Sequence, residues 1–77
     1  MLEQLRETAG QGGPAAGLAN QLLVYTDQYQ SGELSKEDYQ YLVQEIAEVK
    51  AQQELANDEI ACRYIYEAAT TLLSAVA

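Results

Sequence analysis

The chain lacks most of the residues on which small-protein chemistry is usually built. It has no histidine, no phenylalanine and no tryptophan, one cysteine (Cys62) and one proline (Pro14). A single cysteine cannot form an internal disulfide. Zinc sites draw almost entirely on Cys and His, so structural zinc is excluded and no cofactor is expected. The carboxylate di-metal sites of helical bundles need a Glu-x-x-His element, which this sequence cannot supply.

Positive charge is equally scarce. Arg6, Lys36, Lys50 and Arg63 stand against twelve acids, for a formal charge of −8. Phosphate binding needs clustered Lys and Arg, so neither nucleic acid nor an anionic membrane is expected as a direct partner. Long apolar runs are missing too. The most apolar stretch, residues 60–77, carries Arg63 and Glu67 and falls short of the ~20 residues of a bilayer span. The opening Met1-Leu2-Glu3-Gln4-Leu5 has neither a basic n-region nor an apolar h-region, so no secretory signal is expected. The expected location is intracellular (cytoplasmic) or a virion.

The 77 residues suffice for one domain. A monomer of that size buries only roughly 60% of its unfolded surface and is marginal in stability. An internal disulfide is impossible and metal ligands are poorly supplied, so oligomerisation or docking on a larger partner is the remaining source of support.

What the sequence does contain is a strong corner. Gly32 can take the left-handed conformation that ends a helix. Ser35 is placed to accept from the free N–H groups of the next first turn, with Asp38 in the position of a capping-box acid. Leu34 and Tyr39 are spaced as a hydrophobic staple. Before the corner, Leu18, Leu22, Tyr25 and Tyr29 form one stripe at steps of four, three and four, with Ala15 before it and Leu23 widening it. Pro14 suits a first helical position. Gly17 either permits a close backbone approach or weakens the first turn. A helix is expected over residues 14–30.

After the corner, Tyr39, Leu42, Val43, Ile46 and Val49 make a second stripe that can face the first as an αα-hairpin. Residues 47–59 are polar apart from alanines, Val49 and Leu55. Without Gly or Pro to break it, the helix is expected to run on over residues 36–76, ~60 Å at 1.5 Å per residue. In the alternative, Asn57 or Asp58 caps a new helix after a bend. Ahead of the hairpin, residues 1–8 have enough pattern in Leu2 and Leu5 for two helical turns but are too short to be stable alone, so residues 1–13 read as a flexible arm with a Gly10-Gln11-Gly12-Gly13 linker; its alternative role is to dock on a neighbouring subunit through Leu2 and Leu5. The expected fold is thus all-α: arm and linker over 1–13 and a single helical domain over 14–77.

Catalysis finds little to work with. Glu37-Asp38 and Asp58-Glu59 are adjacent on helices, where neighbouring side chains point ~100° apart and do not converge. Gly10-Gln11-Gly12-Gly13 lacks the Lys-Ser/Thr of a phosphate loop. Cys62 has no His partner and sits among Ala61, Ile65 and Ala69 as a small hydrophobe. The chain is not expected to be an enzyme. Its six tyrosines suit either core rims or interfaces.

The stretch Tyr29-Gln30-Ser31-Gly32-Glu33-Leu34-Ser35-Lys36-Glu37-Asp38-Tyr39 resembles the corner of SHOCT-like helical-hairpin oligomerisation modules. It is also similar to helical hairpins in small bacteriophage proteins of the virion or its assembly. The likeness covers about twenty-five residues. It implies assembly or binding rather than catalysis, and carries no functional residues with it.

From the residues themselves, the uncharged end of a long second helix is left uncovered by the hairpin. The expected function is a structural or assembly protein, a homo-oligomer or a subunit of a larger complex. Ile60, Tyr64, Ile65, Leu72, Leu73 and Val76 are the candidate protein-interface residues, with Tyr41 and Tyr66 off the main stripes. The alternative is an acidic regulator, an inhibitor or DNA mimic. It would present Glu45, Glu48, Glu54, Asp58 and Glu59 to a basic site on a nucleic-acid enzyme.

Overall fold

Four helices form an up–down bundle in the computed structural model, which describes residues 2–76. Helix α1 spans Leu2–Gln11 and α2 spans Ala16–Gln30. Helix α3 covers residues 36–54, and α4 spans Glu59–Val76. The start of α1, the end of α2, the start of α3 and the end of α4 meet around one cavity, which sets the alternating directions. α1 packs on α2, α2 on α3, and α4 on α3 and α2.

The corner between α2 and α3 forms as its residues dictate. Gly32 has φ +87°. The Gly32 N–H donates to the Tyr29 carbonyl at 3.2 Å and the Glu33 N–H to the Gln28 carbonyl at 2.8 Å, the two bonds of a Schellman motif. Ser35 Oγ then accepts from the Asp38 N–H at 3.1 Å. Leu34 packs against the core. Tyr39, directly beyond the cap, is buried, stacks on Tyr29 at 4.7 Å between ring centroids, and meets the Thr26 hydroxyl at 2.7 Å. Burial pushes its phenol above the ordinary 10.0; the Thr26 hydrogen bond partly offsets this and Tyr29 adds to it.

Three expectations are corrected. First, residues 2–11 are a helix rather than a flexible arm, and Leu5 is fully buried in this chain's own core. Isolated helices of ten residues are marginal in water, so α1 is held by its packing on α2 and by the Thr8–Tyr64 hydroxyl contact at 3.2 Å. The break falls at Gly12 and Gly13, with φ +73° and +98°, and Pro14 lies in a turn before α2 instead of in its first position. A Cβ at Gly17 would meet open space, which removes close backbone approach as its role.

Second, the helix after the corner does not run on to residue 76. Leu55 leaves helical geometry at φ −117°, ψ 23°, and Asp58 caps a new helix, its Oδ1 accepting from the Ala61 N–H at 3.0 Å. The longest dimension of the molecule is 34 Å, too short for a continuous helix over 36–76. The physical reason is burial. Folding back lets Ala61, Ile65, Ala68, Ala69 and Leu72 join the core. Burying a large aliphatic side chain is worth about 1.5–3 kcal/mol, while each helical hydrogen bond given up contributes about 0.5–1.5 kcal/mol net. Asn and Asp are also weak helix formers, so the bend falls where helix is least favoured.

Third, the second stripe changes register. The buried positions are Tyr39, Val43, Ala47, Ala51 and Leu55, a strict step of four, with Ile46 beside them. A step of four overshoots each 3.6-residue turn by about 40°. A wide turn over Ile46–Lys50 takes up part of that drift, its closing bond running from the Ala51 N–H to the Ile46 carbonyl. Lys50 Nζ donates to Gln21 Oε1 at 3.2 Å and ties this turn to α2. Val49, expected on the core face, consequently points outward.

Candidate protein-docking face

The outer face of α4 begins at the Asp58 cap. Once Asp58 fixes the first turn, Ala61 and Ile65 turn inward and Ile60 is left outside with 84% of its surface exposed. Tyr66, six residues further on, is 47% exposed. Between α4 and the end of α3 lies an open groove of about 510 Å³, bordered by Gln52, Leu55, Ala56, Glu59, Cys62, Arg63 and Tyr66. A smaller depression of about 290 Å³ continues past Ile60, Arg63, Tyr64 and Glu67. Glu59 and Arg63 serve both, with Arg63 Nη2 donating to Glu59 Oε1 at 3.4 Å. That pair is exposed on both sides and contributes little to stability.

The floor of the groove is apolar and thiol-bearing. Leu55 is buried beneath it, and half-buried Cys62 donates its S–H to the Ala51 carbonyl at 3.6 Å. The thiol therefore bridges α4 to α3 as part of the packing.

The eight residues singled out from the sequence separate into three groups. Ile65 and Leu72 are consumed by this chain's own core and are unavailable to a partner. They are corrected as interface candidates, because the bend at 55–58 brings α4 back over the hairpin. Tyr64, Leu73 and Val76 are partly buried and pack against the same core. Ile60, Tyr66 and Tyr41 are exposed. Tyr41, at 66%, stands apart on the outer face of α3 with Gln44, Glu45, Glu48 and Val49. Leu55, Ala56 and Gln52 complete the groove and were not singled out by their spacing. The signal that could have found them is Asp58 itself, since a cap there makes residues 52–56 the neighbours of 59–66.

Other chemistry gains no geometry. Among the described residues, no three His, Cys, Asp or Glu side chains gather as a metal site, and no helix is long and apolar enough to cross a membrane. The five acids of the regulator alternative are divided: Asp58 caps α4, Glu59 pairs with Arg63, Glu45 and Glu48 border one depression on α3, and exposed Glu54 lies at the end of α3.

No family model, curated protein or solved structure matches the chain.

Proposed function

We propose that this chain is a non-enzymatic assembly protein that docks on a protein partner, either further copies of itself or a subunit of a larger complex. The single observation that carries this is Ile60. A chain that completely buries Leu5, Leu18, Leu22, Ile46 and Ile65 leaves one isoleucine outside, separated by Glu59 and Arg63 from an open groove and Tyr66. A partner that covered Ile60 alone would gain about 1.5–3 kcal/mol. A standard interface takes about 800 Å² from each side, roughly a sixth of the 4738 Å² this molecule exposes. The docking face therefore extends from Ile60 across the groove to Gln52, Ala56 and Tyr66. The virion or phage-assembly role implied by the resemblance is one form of the same function. The acidic-regulator alternative finds no gathered acidic surface in its favour.

Sedimentation tests it. The chain recovered from its native source is expected to travel in a species several times its 8.5 kDa mass. The Ile60→Asp, Tyr66→Ser variant is expected to return to the monomer with its far-ultraviolet dichroism unchanged. A wild-type chain that is monomeric both in extract and when purified would refute the proposal.

A further inference from the structure

At the end of the bundle where α1 and α3 begin and α2 and α4 finish, a cavity of about 380 Å³ opens to solvent. Leu2, Tyr29, Leu72, Ala75 and Val76 supply apolar wall; Thr26 and Tyr39 border it, as do Gln30 and Thr71, the latter with its hydroxyl already given to the Glu67 carbonyl. Among the described residues no charged side chain borders it. Tyr39 is 1% and Thr26 6% exposed, and their hydroxyls share a hydrogen bond of 2.7 Å.

Two hydroxyls carry two protons, and one shared bond uses one of them. Other helical threonines dispose of theirs on the carbonyl four residues back. Thr8 does so at 2.9 Å, Thr70 at 2.8 Å and Thr71 at 2.9 Å. Thr26 makes no such bond among the described residues; each oxygen of the pair has the other as partner, and the pair's second proton has no described acceptor. A buried donor without an acceptor is unfavourable, and a ligand that supplies one is bound preferentially. Ligand cavities of about 300–1,000 Å³ with an apolar wall and a few polar groups are the usual form of a small-molecule site. An apolar cavity of about 150 Å³ accepts benzene, so this one has room for a substituted ring.

We propose that this cavity binds a small neutral molecule with an apolar body and one hydrogen-bond acceptor, of the class of aryl or branched alkyl ketones, placed against the Thr26–Tyr39 hydroxyl pair. Among the described residues the wall carries neither a basic nor an acidic side chain, which favours a neutral ligand. The site is separate from the α4 docking face.

The test uses acetophenone, and ethylbenzene as its counterpart without the acceptor, followed by methyl NMR shifts of the full chain. Acetophenone is expected to give saturable shifts at Leu2, Leu72 and Val76, abolished by Ala75→Trp, which fills the cavity from its rim. Thr26→Val with Tyr39→Phe removes both hydroxyls together, a change that leaves no unpaired partner behind and keeps the fold. That double variant should bind acetophenone about five-fold more weakly while its affinity for ethylbenzene is unchanged. Absence of saturable shifts, insensitivity to Ala75→Trp, or a double variant that treats both ligands alike would each overturn the proposal.

Discussion

Leu5→Ala measures how far the first helix belongs to the fold. Leu5 is fully buried although α1 has only ten residues and begins the described chain. Replacing leucine by alanine removes three carbons, about 2–2.5 kcal/mol of transfer free energy at about 0.8 kcal/mol each. The cavity left behind adds to this, and fully buried Leu→Ala changes span about 2.7–5 kcal/mol. The expected loss is about 3 kcal/mol. A domain of this size holds about 4–12 kcal/mol in all, so the variant keeps about 1–9 kcal/mol and remains measurable by unfolding. Urea unfolding gives the magnitude, and hydrogen exchange of the α1 amides shows where it acts. Protection of α1 in the wild-type chain should match that of α2, and fall first in the variant. A loss under 0.5 kcal/mol, with α1 amides exchanging freely in the wild type, would refute the packing of α1 as the source of its helicity.

Gly32→Ala should cost about 1–2 kcal/mol by chemical denaturation. A Cβ there meets open space, so the cost is torsional alone and Gly32→Asn should recover part of it. Asp58→Ala should cost about 1 kcal/mol and raise exchange in the first turn of α4, whereas Asp58→Asn, which keeps an acceptor, should lose much less. Tyr39 gives stability an alkaline limit. Its folded phenol is held above 10.0, so above that pH the unfolded chain releases the proton that the folded chain keeps. The contribution is fully present below about pH 10 and is lost as pH rises further. Denaturant midpoints between pH 8 and 11.5 should show this decline, weakened in the Thr26→Val, Tyr39→Phe variant.

Local chemistry made the corner readable from the sequence, and tertiary packing hid much of the rest. Gly32, Ser35 and Asp38 act within a few residues of one another, so their spacing alone specifies two helix ends. The bend at 55–58 was half visible. Asp58 carries a capping side chain, but the burial of Ile65 and Leu72 that favours the bend is a long-range gain that no local pattern reports. Helix α1 is visible in Leu2 and Leu5 only as two turns too short to stand alone; the packing on α2 that sustains it is long-range and leaves no local pattern. The wide turn at Ile46–Lys50 shows itself as a step-of-four run of buried residues, which looks like an ordinary stripe until the neighbours are known. Candidate interface residues followed the bend. Assuming a straight helix placed Ile65 and Leu72 outside with Ile60; folding back took two of them in and left Ile60 as the exposed one.

Docking through the outer face of α4 is tested most directly by a photo-crosslinking side chain at position 60, with position 24 as its control. Both sites expose an aliphatic residue, but Val24 lies on α2 beside Asp27 and Gln28, away from the α4 grooves. Irradiation in the native source is expected to join position 60 to one protein as a single adduct of defined mass, with no adduct from position 24. No adduct at position 60, or equal capture at both sites, would contradict it.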